Sequence, residues 1–203
     1  MPSASTQTPK AQLATFADLL LIPEESRRHE VLDGEIVEKA LPRGEHGVSQ
    51  AHVAHTVIDL GRSQRRLGGA SREPGWWFAT EPTIELSRHG VVQPDVAGWR
   101  RDRMPTSPSG YPLKLRPDWV CEIMCDSDAR RRDGLQKRRI YADHDVPFYW
   151  LIDTERSTLT ILALADRGGY VELLTAARTD RVRAAPFDLV ELQVGVLFGD
   201  DED

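Results

Sequence analysis

The sequence predicts an α/β fold: a mixed β-sheet flanked by helices, preceded by an N-terminal hairpin. Three observations carry this. Asp33-Gly34 separates two short apolar segments, a hairpin signal. Trp119 to Cys125 is apolar on both alternating faces, as in a strand buried on both sides. A helical stretch from Asp128 to Asp143 then leads to a second apolar strand from Val146 to Ile152, and strand, helix, strand at this spacing is one βαβ crossover.

The remaining elements follow in order. Residues 1–13 are rich in Ser, Thr, Gln and Pro and read as a flexible leader. Thr15-Phe16-Ala17-Asp18 opens a short helix with a capping-box start, and Pro23 closes it. Glu30 to Leu32 and Glu35 to Val37 form the hairpin. From His46 to Leu67 the apolar spacing is helical, and Gly68-Gly69 ends it. Trp76 to Phe78 and Thr83 to Leu86 read as strands, with a turn at His89-Gly90. Val91 to Trp99 is a further strand interrupted by Pro94. Arg100 to Lys114 is a polar loop. Thr158 to Ala163 and Tyr170 to Leu174 form a terminal antiparallel pair. One domain spans 14–199, and residues 200–203 form an acidic tail.

Composition narrows the function. Among 203 residues, 26 Lys+Arg stand against 32 Asp+Glu, a net charge of −6, which argues against a nonspecific nucleic-acid coat. No apolar run approaches the roughly 18 residues that span a bilayer, and the polar start has no signal-peptide core. Cys121 and Cys125 are too few for a disulfide framework or a four-ligand zinc site. A soluble cytoplasmic protein without membrane contact is expected.

Several residues sit oddly in a bland core. Glu122 lies between Val120 and Met124 on one face of the doubly buried strand, where an ionised carboxylate is costly unless paired or metal-bound. Asp95 poses the same question beside Pro94. Two carboxylates at neighbouring strand ends suit magnesium or manganese. Each taken alone is equally what a salt bridge to an arginine looks like. Asp133, Lys137 and Tyr141, spaced i, i+4, i+8, share one helix face with Ile140 close by. An inward lysine there can orient a water or stabilise phosphorane-like charge, while a surface i,i+4 ion pair is the plainer account. Between 130 and 139, six basic residues face one acid. Arg130, Arg131, Arg132 and Arg138 thus suit phosphate contact or a solvated face. The spacing of His46, His52 and His55 does not put all three on one helix face, so capping or surface roles are expected of them.

Taken together these segments resemble the Uma2 family, once a domain of unknown function, within the PD-(D/E)XK nuclease-like superfamily. The likeness is carried by His29 to Val37, Val92-Gln93-Pro94-Asp95-Val96 and Val120-Cys121-Glu122-Ile123. It continues through Arg131-Arg132-Asp133, Lys137 and Tyr141 to Val146 through Asp153. The resemblance implies a restriction endonuclease-like core and a Mg²⁺- or Mn²⁺-dependent endonuclease acting on DNA. It implies Asp95, Glu122 and the Ile123 carbonyl as metal ligands and Lys137 as the catalytic lysine. Asp133 and Tyr141 would orient Lys137, and Glu30 would be a lesser candidate ligand. Met124 stands where the superfamily has lysine, and Lys137 from the following helix replaces it. Cys125-Asp126-Ser127 departs from the family's Ser-Pro-Ser-like stretch and adds a carboxylate near the site. The −6 charge and the missing lysine also support a second reading, a catalytically inactive nuclease-fold binding or regulatory module. RNA is a further possible substrate. A homodimer is possible, with Trp76, Trp77 and the C-terminal strands as candidate interface elements.

Overall fold

The computed structural model describes residues 12–68 and 74–201. Most of the expected leader, residues 1–11, and part of the acidic tail, 202 and 203, lie outside the described residues, as does Gly69. Helix α1 (Phe16–Leu19) opens as expected, with the Thr15 N–H and hydroxyl both donating to Asp18. Strands β1 (His29–Leu32) and β2 (Glu35–Glu38) form the hairpin. Asp33 and Gly34 both take positive φ, 56° and 82°, as a two-residue turn of this hand requires. The 24-residue helix α2 (Gly44–Leu67) follows.

Next come β3 (Trp76–Thr80), β4 (Ile84–Ser87), β5 (Gly90–Val92) and β6 (Val96–Arg100). The single interrupted strand expected across Val91 to Trp99 is two strands in two different sheets. β5 pairs with β1 and β4 in a four-stranded sheet ordered β2-β1-β5-β4, and β6 pairs with β3. Pro94 has no N–H to give to a ladder, so the chain leaves one sheet there and enters the other. Asp95 sits at that crossing.

The larger sheet is six-stranded and completed by β7 (Trp119–Met124), β8 (Phe148–Asp153), β9 (Thr158–Leu164) and β10 (Tyr170–Ala177), in the order β10-β9-β8-β7-β6-β3. Only β7 and β8 run parallel among its neighbours, so the sheet is mixed and contains the βαβ crossover. A small pair, β11 (Arg181–Arg183) and β12 (Glu191–Gln193), closes the chain with a 3₁₀ turn at Val194–Phe198.

All six residues of β7 are buried. Trp119, Cys121 and Ile123 face a core with Val53, Val57 and Leu60 of α2, where Trp119 and Trp150 meet edge to face at 5.3 Å. Val120 and Met124 face the other core, with Ile140, Tyr141 and Tyr149. Glu122 has the parity of that second face. The crossover is not one regular helix: α3 (Ser127–Arg131) and α4 (Arg138–Asp143) are joined by a π-helical stretch, Arg132–Lys137. The wider π turn brings residues four apart closer to one line, and such insertions often mark functional sites.

The candidate interface tryptophans have partners within the chain. Trp76 packs on Phe78 and Phe187, and the Trp77 indole donates to the Met104 carbonyl with the Arg101 guanidinium 3.7 Å over its ring. No helix among the described residues is long and apolar enough to cross a membrane.

Candidate active site

Two carboxylates distant in the chain line one cleft of about 240 Å³, Asp95 at the sheet crossing and Glu122 in the middle of β7. Asp95 is 2% exposed, and its Oδ2 accepts the Ile123 N–H at 2.7 Å. This bond orients Oδ1 toward Lys39 Nζ at 3.3 Å and His46 Nε2 at 3.4 Å. Burial alone would raise the Asp95 pKa, but the His46 contact and the Lys39 ammonium outweigh it and hold the carboxyl well below the usual range.

Glu122 Oε1 accepts from Lys137 Nζ at 2.9 Å and from the Tyr141 hydroxyl at 2.7 Å. The Lys137 side chain has no exposed surface, and its ammonium also meets Glu30 Oε1 at 2.9 Å and Asp133 Oδ1 at 3.6 Å. Arg132 Nε lies 3.1 Å from the same Asp133 oxygen. Burial pushes Glu122 up to about 8; Lys137 opposes that shift, while Asp133, Asp95 and Glu30 add to it. Burial opposes the charge on Lys137 too, but the carboxylates around it keep its pKa well above that of an ordinary lysine. Lys137 and Tyr141 of the stripe therefore converge on Glu122, while Asp133, on the same π stretch as Lys137, meets the lysine ammonium. Glu30 Oε1 also accepts the Gln93 N–H at 2.6 Å, while its buried Oε2 has no hydrogen-bond partner among the described residues.

Three residues join the cleft that the sequence did not single out for it. His46 stands in the first turns of α2 and faces Asp95, whereas His55 is on the exposed side of the helix. Capping or surface roles were expected of all three histidines, and for His46 the tertiary contact replaces them. Glu81 follows β3 with φ 51°, a left-handed conformation uncommon outside glycine. The turn is held by Glu81 N–H to Asp95 O at 3.1 Å and by the Gln93 and Gln50 side-chain amides. Lys39 follows β2 and donates to the Gln93 carbonyl at 2.8 Å. Sequence offered little signal for these, beyond the scarcity of lysine and a histidine at the helix start.

His46, Glu81 and Asp95 each present a ligand atom, all within 4.8 Å of one another, and they are the group of this kind among the described residues. Two hard carboxylate oxygens and one imidazole form a donor set that suits a divalent cation such as Mg²⁺ or Mn²⁺. Glu122 lines the same cleft but is committed to Lys137 and Tyr141, and Ile123 turns its N–H toward Asp95. Asp126 also lines the cleft and caps α3, accepting the Ala129 N–H at 2.8 Å.

The arginines near the crossover helix have local partners. Arg130 pairs with Asp153 at 3.3 Å and Glu155 at 2.7 Å, Arg132 with Asp133, and Arg138 donates to the Tyr170 carbonyl. Arg131 is exposed and borders a shallow surface depression with Arg132 and Arg139.

A family model described as "Uma2: Putative restriction endonuclease" matches residues 14–195. Among solved structures, one described as a putative nuclease belonging to DUF820 from Anabaena variabilis ATCC 29413 is similar to this chain with a TM-score of 0.66. The two are 20% identical, and the match covers 91% of this chain and 97% of that one. At that identity the likeness concerns the fold, which is restriction endonuclease-like. No curated protein matches the chain.

Proposed function

Because the chain belongs to the Uma2 family, described as putative restriction endonucleases, we propose that it is a metal-dependent endonuclease hydrolysing phosphodiester bonds in DNA. The observation that supports this most is the cleft itself, where Asp95, His46 and Glu81 gather ligand atoms beside the Glu122–Lys137 pair.

In this reading His46, Glu81 and Asp95 hold the ion, with Glu122 on the adjoining wall. A bound Mg²⁺ or Mn²⁺ supplies a water of lowered pKa and offsets charge on the scissile phosphate. The chain's own residues do the positioning. Ile123 fixes Asp95 so that one oxygen faces the cleft. Tyr141 and Lys137 fix Glu122. Lys137 was expected to meet the attacking water, yet its ammonium is wholly enclosed by three carboxylates. We therefore assign it the role of holding Glu122 in place, supported in turn by Asp133 and Glu30. Asp126 adds negative charge to the cleft lining, and Arg131, exposed beside the neighbouring surface depression, is a candidate for phosphate contact outside the cleft.

Supercoiled plasmid incubated with Mg²⁺ or Mn²⁺ tests the proposal. The wild type is expected to nick it, with Asp95→Asn slower by about 10²–10³-fold, the scale of losing several kcal/mol of charge stabilisation. Equal nicking by both proteins, or none by either, rejects it and leaves the non-catalytic module.

A further inference from the structure

The cleft already contains a cation. The Lys39 ammonium lies 3.3 Å from Asp95 Oδ1 and 3.3 Å from Glu81 Oε2, the two carboxylates of the ligand trio. Its third bond, to the Gln93 carbonyl at 2.8 Å, anchors it beside them. Only 13% of its side chain is exposed, so this is a seated group and no loosely tethered surface charge. Asp95 has one oxygen committed to the Ile123 N–H, which leaves Oδ1 as its contact for any cation. His46 Nε2 approaches that same oxygen at 3.4 Å. Lys137 has a different place: it is enclosed among Glu30, Glu122 and Asp133.

We infer that Lys39 is the exchangeable counter-ion of this cleft. Its ammonium neutralises Asp95 and Glu81 until a divalent cation takes the same oxygens, and metal binding moves the ammonium off them. The inference rests on the metal-dependent reading above and extends it by making metal affinity the outcome of a competition inside the protein. Two cations on one pair of partly buried oxygens repel strongly, because the surroundings screen them less than bulk water does. A divalent ion carries twice the charge, and Mg²⁺ reaches carboxylate oxygens at roughly 2.0–2.1 Å, much closer than the 3.3 Å of the ammonium. It therefore wins when present. The lysine keeps its proton throughout, and its flexible stem lets the head group relocate. No covalent bond changes.

The test is Mn²⁺ binding by the full chain, read from the electron paramagnetic resonance signal of free Mn²⁺, for the wild type, Lys39→Met, Lys39→Gln and Asp95→Asn. Both Lys39 variants are expected to bind at least about tenfold tighter than wild type, as removal of a neighbouring positive charge predicts; Asp95→Asn is expected to lose binding. Thermal melts add a second reading. Without metal, Lys39→Met is expected to melt below wild type, and Mn²⁺ is expected to raise its midpoint by more. Folded Lys39 variants that bind Mn²⁺ no tighter than wild type overturn the inference and leave the metal-dependent reading standing. Absence of binding in wild type and Lys39 variants alike, or unchanged binding by Asp95→Asn, overturns both.

Discussion

Asp95 Oδ2 accepts the backbone N–H of Ile123 at 2.7 Å, tying the residue at the crossing between the two sheets to the strand that carries Glu122. The bond sets the aim of the Asp95 carboxylate and links it to the second acid through one peptide unit. Asparagine at position 95 can keep that bond through its amide oxygen while losing the negative charge. Asp95→Asn is therefore expected to fold, to lose some stability because Lys39 and His46 lose their charged partner, and to be defective in metal binding, which circular dichroism and Mn²⁺ titration on one preparation will compare.

Lys137 is the keystone of the buried cluster. Replacing it with methionine leaves Glu30, Glu122 and Asp133 facing one another without their shared ammonium. Breaking a buried ion pair from one side costs about 3–5 kcal/mol, so Lys137→Met is expected to unfold at markedly lower urea concentration than wild type. Adding Glu122→Gln to it should recover part of the loss, and a double-mutant cycle measures how much.

Glu122 gives stability a pH dependence of defined sign. Its pKa is raised from 4.5 to about 8 by burial, against Lys137, with the nearby acids adding to the rise. Between those values the folded protein keeps a proton that the unfolded chain has released, so this group's contribution falls as pH rises through the window. Glu122→Gln removes that titration. Melting midpoints are expected to drop less between about pH 5 and about pH 9 in Glu122→Gln than in wild type. An equal drop in both proteins would assign the slope to other groups.

Much of this arrangement was legible in the sequence. The doubly apolar strand with one acid, the Asp-Gly hairpin and the βαβ spacing each rest on local pattern, and each has its place in the fold. The stripe Asp133, Lys137, Tyr141 also belongs to one cluster, with Lys137 and Tyr141 on Glu122 and Asp133 on Lys137, because residues four apart share a helix face whether the turn is α or, as in part here, π. What the sequence hid was non-local. Lys39 after β2, His46 in α2 and Glu81 after β3 meet beside Asp95, where Pro94 sends the chain from one sheet to the other. No periodicity records that meeting. The arginines show the opposite failure: a dense basic run marks a surface in sequence, but Asp153, Glu155 and the Tyr170 carbonyl lie far along the chain and engage Arg130 and Arg138.

That difference separates Arg130 from Arg131. Arg130→Ala removes two ion pairs and is expected to destabilise the fold with little change in the salt dependence of DNA binding. Arg131→Ala is expected to leave stability within about 0.5 kcal/mol. It should also lower the slope of log affinity against log salt by roughly 0.9, the value of one phosphate contact. Fluorescence anisotropy with a labelled duplex in Ca²⁺ reads both.

Gly98 reports on the packing that supports β6. A Cβ there would approach the Phe78 ring at 2.9 Å, and that ring is held against Trp76, Trp119 and Phe187. Gly98→Ala is expected to cost about 1–3 kcal/mol, the usual range for overpacking, as measured by urea denaturation.

A crystal of the protein soaked in manganese gives the most direct test of the site. Anomalous scattering at the manganese edge is expected to show a peak among His46 Nε2, Glu81 and Asp95 Oδ1, with the Lys39 ammonium displaced from Asp95. A soaked crystal with no peak in that cleft, and the ammonium still seated on Asp95, would contradict the account.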